Sequence, residues 1–247
     1  MANRQIPPTM VIDRGQTQTD VNRTVLEIIC RQADENTPVR LLDLPCGNLE
    51  FLSYVKTLFP AAEITGADIV KPEMQQGIAF VQMDFTREFT IPPEKKYDVI
   101  TSISGVMMFG NTLAFIRNCI DHLETGGSFI ITNDNAATIK DRLSFFFLSR
   151  YRLFNAVFED KEHLTENISI NKLCHLLRTN GVAVEEIRYT SLYKKDLLLL
   201  PFALLAWCTQ FLYLKRLHTK ILRSQIKMMY PFRHLFCRHY VIVGRKV

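Results

Sequence analysis

The chain has 247 residues, 47% of them hydrophobic, with 30 Lys and Arg against 25 Asp and Glu and a formal net charge of +5. That composition excludes a disordered or low-complexity chain and suffices to bury one sizeable core. Six cysteines, at 30, 46, 119, 174, 208 and 237, lack CxxC or Cys/His ligand spacing, which excludes a disulfide framework and a zinc site and leaves no metal expected.

Residues 1 to 16 carry Pro7, Pro8, Asp13 and Arg14 but no apolar core segment, so no secretory leader is expected and the chain is placed in the cytoplasm. Thr17-Gln-Thr-Asp20 predicts a capping-box-like helix start, with Asp for the usual Glu, followed by Val21, Val25, Ile28 and Ile29 on one sheet-covering face. Val39-Arg-Leu-Leu-Asp-Leu-Pro-Cys-Gly-Asn-Leu-Glu-Phe-Leu52 then reads as a strand buried on both faces, a turn from Pro45 to Asn48 and a helix from Leu49 to Leu58. Asp43 stands before that turn, at the strand tip. A dinucleotide fingerprint needs three glycines to admit a pyrophosphate, and Gly47 is alone in this loop, so phosphate cradling fits poorly. A strand-tip carboxylate suits a ligand bearing an ammonium group, which the positive end of a helix would not attract.

Two further strands end the same way. Glu63 to Val70 carries Asp68 and Ile69 at its end, and Ala79 to Asp84 is followed by Phe85. A fourth strand, Tyr97 to Ile103, includes Ser102; a helix from about Thr112 to Leu123, a Thr125-Gly-Gly127 stop and a fifth strand, Ser128 to Thr132, follow. Three carboxylates at three successive strand tips mark the carboxyl edge of a parallel sheet, where open α/β sheets bind ligands.

Asp43-Leu-Pro45-Cys-Gly47-Asn-Leu49 resembles motif I, DxGxGxG, of the class I S-adenosylmethionine-dependent methyltransferases, with only the middle glycine kept. Pro45 fixes φ and still permits a turn, whereas Leu49 in place of the last glycine demands a wider helix-to-strand contact. The resemblance implies an α/β, Rossmann-like methyltransferase fold with a seven-stranded, mostly parallel sheet, helices on both faces and S-adenosyl-L-methionine as cofactor. It implies cofactor contacts from Asp43 and Gly47 at the amino acid end, Asp68 at the ribose and Asp84 and Phe85 at the adenine, with Pro45, Cys46, Ile69 and Ser102 among the cofactor-binding residues. Cys46 is read as a small turn residue rather than a reactive thiol. Ile170, Leu173, Leu176 and Leu177 before Asn180-Gly181 supply a helix, and Val182 to Tyr189 and Arg238 to Gly244 supply strands six and seven. One domain, 1–247, is therefore expected, with insertions at 135–169 and 191–237.

The first insertion reads as a lid. Its aromatic run, Leu143 to Leu148 with Tyr151 to Phe154, either lines an acceptor pocket or packs a lid helix on the core; Arg142, Arg150 and Arg152 either meet an anionic acceptor or form a solvated face. Because a sulfonium methyl group is already activated, a general base is optional. The candidates are Asp134 and His163, with His122 on a helix remote from the site.

In the second insertion, Leu197 to Leu214 is 18 residues long without a charge, the lower limit for a membrane span. A single crossing would part strands six and seven, which must pair. Arg216, Lys220, Arg223 and Lys227 fall on one helix face and Leu214, Leu217, Ile221 and Met228 on another, the pattern of a helix lying in a membrane interface. Residues 191–247 hold eleven Lys or Arg against the single acid Asp196, whereas residues 1–190 hold 19 against 24. Peripheral membrane contact through 197–228 is expected, with a homodimer interface or a cap over the pocket as the alternative. Nucleic acid is not expected, because Thr101 to Phe109 lacks the Asn/Asp-Pro-Pro-aromatic motif of base methyltransferases. The expected activity is methyl transfer to a small apolar or lipid-linked acceptor, at oxygen. The alternatives are a soluble small-molecule methyltransferase and a non-catalytic binding module.

Overall fold

A computed structural model describes residues 4–32, 39–87, 89–91, 95–155, 166–216 and 220–247. Its strands are β1 (Arg40–Asp43), β2 (Glu63–Asp68), β3 (Ile78–Gln82), β4 (Tyr97–Ile103), β5 (Leu123–Asp134), β6 (Val182–Leu192) and β7 (Cys237–Lys246). The helices are α1 (Val21–Gln32), α2 (Glu50–Leu58), α3 (Thr112–Asp121), α4 (Ile139–Leu148), α5 (Ile170–Thr179), α6 (Leu200–Lys215) and α7 (Lys220–Met229). The strands form one sheet in the order β3-β2-β1-β4-β5-β7-β6. β1 to β5 run parallel, and β7 enters antiparallel between β5 and β6. Chain order reverses between β1 and β4, which opens a crevice above their carboxyl ends.

Alternation along each strand splits the core into two layers. Leu41, Val99, Ile130 and Val241 meet Val25, Ile28, Leu52 and Val55 of α1 and α2 on one face. Leu42, Ile100, Phe129 and Ile242 meet Phe115, Ile116, Leu173 and Leu177 of α3 and α5 on the other. Strands buried on both faces need continuous apolar runs, which is why these were readable from the sequence.

Two local expectations are corrected. The Thr17–Asp20 capping box does not form: Asp20 takes φ 65°, and the Thr17 hydroxyl lies 2.6 Å from Ser104 Oγ instead. Thr125-Gly-Gly127 does not precede the fifth strand but lies inside it, since β5 already pairs with β4 at Leu123.

The second insertion leaves β6 after Leu192 and returns at Cys237, and these two residues are register partners. Its root is clamped by Asp196, whose carboxylate accepts from Arg238 at 3.1 Å, while the same guanidinium lies 3.4 Å from the Tyr193 ring centroid. α4 packs against it, Ile139 and Leu143 meeting Ala203, Trp207, Leu235 and Phe236. Beyond that contact α6 stands in solvent, with Ala203 its one buried residue. The basic stripe is divided: Arg216 caps the end of α6, whereas Lys220, Arg223 and Lys227 belong to α7.

Candidate cofactor and acceptor site

The crevice above β1 and β4 is a cavity of about 310 Å³ whose lining includes Asp43, Pro45, Cys46, Gly47, Asp68, Ile69, Asp84 and Phe85. Eight of the nine residues expected to touch the cofactor thus converge on one space. Ser102 does not line it. Its residue is fully buried within β4, Oγ meets no partner among the described residues, and the next two residues, Ile103 and Ser104, line the cavity instead.

The motif loop is held open by its neighbours. Gly47 turns at φ 54° and donates its N–H to Asp68 Oδ2 at 2.9 Å, so β2's acid also fixes β1's loop. Leu49 keeps the left-handed backbone, φ 64°, of the glycine it replaces. Room for its side chain comes from β2: a Cβ on Gly66 would stand 2.8 Å from Cys46 Sγ and 2.9 Å from Leu49 Cδ2. The glycine lost from the helix start is compensated by one on the adjacent strand.

Asp43 is 1% exposed and accepts from Thr101 Oγ1 at 2.6 Å. Burial above all, helped by nearby Asp68, pushes its carboxyl up to about 7, against the pull of the Thr101 hydroxyl. An ammonium group beside it would favour the ionised form. Asp68 accepts from Gly47 and, through Oδ1, from Val70 N–H at 3.2 Å, and carboxylate oxygens retain lone pairs for ligand hydroxyls. Asp84 accepts from the Thr86 hydroxyl and N–H at 2.6 and 2.9 Å, which holds its carboxyl below the usual range. Ile69, 55% exposed, and buried Phe85, edge-on to Phe89 at 5.1 Å, both line the cavity. An apolar lining of this kind fits a flat ring. The donor set therefore fits the expected cofactor: acids for its amino and ribose groups and apolar walls for its base. Burial pushes the Cys46 thiol up, so it packs as a neutral turn residue.

Sequence reasoning missed the front wall. Gly15, Gln16 and Thr17 line the cavity, brought there as the segment before α1 is tied down by Asn22 Nδ2 to Asp13 O at 3.0 Å and Ser191 Oγ to Thr19 O at 2.6 Å. It also missed His239. This fully buried residue opens the inner part of β7 and is the register partner of Asp134 on β5. Its Nδ1 lies 3.3 Å from Asp134 Oδ1, and its Nε2 lies 3.2 Å from Ser104 Oγ and 3.1 Å from Thr132 Oγ1. A histidine in an expected strand carried no signal beyond its strand position.

Among the other candidates, Asp134 is buried at the carboxyl edge, His122 caps α3 at the opposite edge, and His163 lies outside the described residues. None of the described part of the first insertion lines the cavity, and residues 156–165 of the expected lid lie outside the described residues. Phe146 and Phe147 are instead 79% and 72% exposed, and Phe145 stacks on Tyr151. Nor do the three arginines face an acceptor. Arg142 bonds Gln210 and His234, Arg150 bonds the Phe154 carbonyl, and Arg152 pairs with buried Asp141 at 3.2 Å, locking α4 to its surroundings.

The fold and the acid-tipped crevice define a Rossmann-like methyltransferase. Residues 16–187 match the family model described as a methyltransferase domain, and the chain belongs to the class I S-adenosylmethionine-dependent methyltransferase family. It is 23% identical over 132 residues to the malonyl-(acyl-carrier protein) O-methyltransferase of Bacillus cereus and 25% identical over 132 residues to that of Bacillus anthracis, covering 51% of this chain and 49% of each relative. The chain thus aligns with about half the length of these relatives. A solved S-adenosylmethionine-dependent methyltransferase from Archaeoglobus fulgidus shares the fold at a TM-score of 0.57 and 14% identity, covering 92% of this chain and 93% of that one.

Proposed function

We propose that this chain transfers the methyl group of S-adenosyl-L-methionine to an oxygen of a small apolar or lipid-linked acceptor, at the cytoplasmic surface of a membrane. The observation that carries the reading is the convergence of Asp43, Asp68 and Asp84 with Gly47, Ile69 and Phe85 on one crevice. The cofactor supplies an already activated methyl group, so the chain's own task is to bind, orient and exclude water. Asp43 and Gly47 hold the amino acid end, Asp68 the ribose, and Asp84 with Phe85 the adenine. The oxygen assignment is supported by the names of the two relatives, which are O-methyltransferases.

Membrane contact is supported by what α4 and α6 expose. Lys194–Lys215 is the one helical stretch among the described residues long and apolar enough to cross a membrane, and almost none of it is buried. Leu192 and Cys237 pair in the sheet, so both ends of the insertion would lie on one side of a bilayer, which supports a helix lying in the interface rather than a single crossing.

Calorimetry with S-adenosyl-L-methionine tests the first half. Binding in the wild type, weakened by about 1.5 to 3 kcal/mol in Asp68→Ala, is the expected result, since a charge-assisted hydrogen bond is lost. Unchanged affinity in both Asp68→Ala and Asp43→Ala would reject the placement, and no binding at all would favour a non-catalytic member of the family.

A further inference from the structure

We infer that Ser104, His239 and Asp134 form a proton relay opening on the crevice, and that the acceptor is accordingly a neutral hydroxyl compound rather than a carboxylate. The inference rests on the methyltransferase reading above. Ser104 lines the crevice, and its hydroxyl is 2.6 Å from that of Thr17 on the front wall. Its N–H donates to Thr132 Oγ1 at 2.9 Å, which fixes the residue at the tip of β4 with φ 56°. Behind it, His239 Nε2 stands 3.2 Å from Ser104 Oγ, and Nδ1 stands 3.3 Å from Asp134 Oδ1. A carboxylate only accepts hydrogen bonds, so Nδ1 carries the ring proton and Nε2 presents its lone pair toward the Ser104 and Thr132 hydroxyls.

Core packing alone does not call for this pair, since replacing buried ionisable groups by apolar residues of similar volume is often neutral or stabilising. Its worth lies in the direction it points, from the sheet interior to the one crevice hydroxyl set at a strand tip.

The electrostatics of the crevice select the same acceptor class. Its lining carries Asp43, Glu50, Asp68 and Asp84 and, among the described residues, no Lys, Arg or His. With those acids taken up by the cofactor, the lining offers no cationic side chain to pair an anionic acceptor, whereas a neutral hydroxyl needs none. A carboxylate needs no base, but a hydroxyl must lose its proton as it reacts. As the acceptor oxygen bonds the methyl carbon, the carbon–sulfur bond breaks and its electron pair stays on sulfur. The acceptor's proton passes to Ser104 Oγ while Ser104's own proton passes to His239 Nε2, and Asp134 faces the resulting imidazolium. Ser104 meets the acceptor; His239 and Asp134 are positioning residues that act through it.

The test uses the full chain on vesicles of phosphatidylcholine and phosphatidylglycerol, with methyl-labelled cofactor and either 4-octylphenol or 4-octylbenzoate as acceptor. The phenol should yield an alkali-stable labelled ether and the benzoate no alkali-labile ester. Ser104→Ala and His239→Gln should each lower kcat on the phenol by about 100-fold or more, the usual worth of acid–base assistance. KM and the calorimetric affinity for the cofactor should hold. A ring-difluorinated octylphenol, bound neutral but with a more acidic hydroxyl that needs less help to lose its proton, should lose less of its rate in both variants, a difference that a merely structural defect would not give. Independently of turnover, the 15N spectrum of histidine-labelled protein should show His239, assigned by its absence in His239→Gln, protonated at Nδ1 with a bare Nε2. Label on the benzoate, no label on the phenol in protein that binds the cofactor, equal losses on both phenols, or a proton found on Nε2 would each overturn the relay. Failure to bind the cofactor would instead remove the methyltransferase reading on which it rests.

Discussion

At the scale of single residues, the crevice trades stability for binding. Asp43 is the clearest case, since its folded carboxyl titrates near 7 while the unfolded chain's titrates near 3.8. Between those values the folded protein holds a proton that the unfolded chain has released, so the group lowers stability progressively as pH rises through the window, and by the full amount above 7. Asp43→Asn should therefore unfold at higher urea than the wild type at pH 8, by up to about 4 kcal/mol at about 1.4 per pKa unit, with little difference at pH 4. Its affinity for the cofactor should fall at the same time. Urea melts at the two pH values, with calorimetry beside them, check both signs; a variant less stable at pH 8 would mean that Asp43 is a fold residue. Gly66 makes the complementary point. In Gly66→Ala the new Cβ would stand within 3.0 Å of Cys46 Sγ and Leu49 Cδ2, so a loss of about 1 to 3 kcal/mol is expected, accompanied by weaker cofactor binding as the motif loop shifts. An alanine variant with wild-type melting and affinity would show that the compensation proposed for Leu49 is not needed. The strand-tip acids were legible because each is announced locally, by an apolar run that stops at a carboxylate. His239 was not, because its meaning depends on Asp134, 105 residues away, through a strand pairing that no local pattern encodes.

At the scale of elements, periodicity separated apolar from polar faces but could not say what an apolar face would meet. Phe145, Phe146 and Phe147 on α4 read equally as pocket lining or as packing; none lines the crevice, Phe145 stacks on Tyr151, and Phe146 and Phe147 stand largely exposed. The arginines nearby looked available for an acceptor because nothing in the sequence marks Asp141, Gln210 or the Phe154 carbonyl as their partners. The root of the second insertion was hidden for the same reason. Asp196, the only acid after residue 190, pairs with Arg238 on β7, and both side chains are largely buried, 6% and 16% exposed. Removing the acid leaves a guanidinium without its counterion in a poorly hydrated place, which typically costs about 3 kcal/mol or more. Asp196→Ala should consequently raise amide exchange across 193–236 while leaving β1, β4 and β5 protected. Uniform loss of protection over the whole sheet would show that the clamp supports the domain rather than the insertion.

At the scale of the whole molecule, charge and hydropathy are unevenly divided along the chain. Residues 1–190 are acidic in sum and form the crevice, while residues 191–247 carry eleven Lys or Arg against one acid and expose the long apolar helix. The apolar surface gains a second element in space, because α4 lies against α6 and adds Phe145 to Leu148 to Leu204, Leu205, Phe211 and Leu212. A soluble monomer seldom leaves so many large apolar side chains on two packed helices to water. Under the membrane reading proposed above, a bilayer would cover it without requiring a span. Each basic residue near an anionic leaflet is worth roughly 1 kcal/mol, so the charges of α7 and its flanks would suffice to hold the domain once the apolar helices inserted.

The proposed attachment can be tested apart from the fold by choosing exposed positions. Phe146→Ala and Phe147→Ala remove side chains that touch little protein, so melting should move by less than about 0.5 kcal/mol, as for ordinary surface changes, against about 3 to 5 for a buried phenylalanine. Sedimentation with vesicles should nevertheless fall in both. Changing Arg216 and Lys227 to Glu should weaken attachment to anionic vesicles more than to neutral ones, and added salt should mimic it, because exposed charges are screened over roughly 8 Å at physiological ionic strength. Cofactor binding should survive every one of these changes, since none of the residues lines the crevice. If the wild type stayed in the supernatant with anionic vesicles but sedimented as a dimer that Leu204→Asp or Trp207→Ala dissolved, the face of α4 and α6 would be a contact between two copies of this chain. The acceptor would then reach the crevice from water rather than from a leaflet.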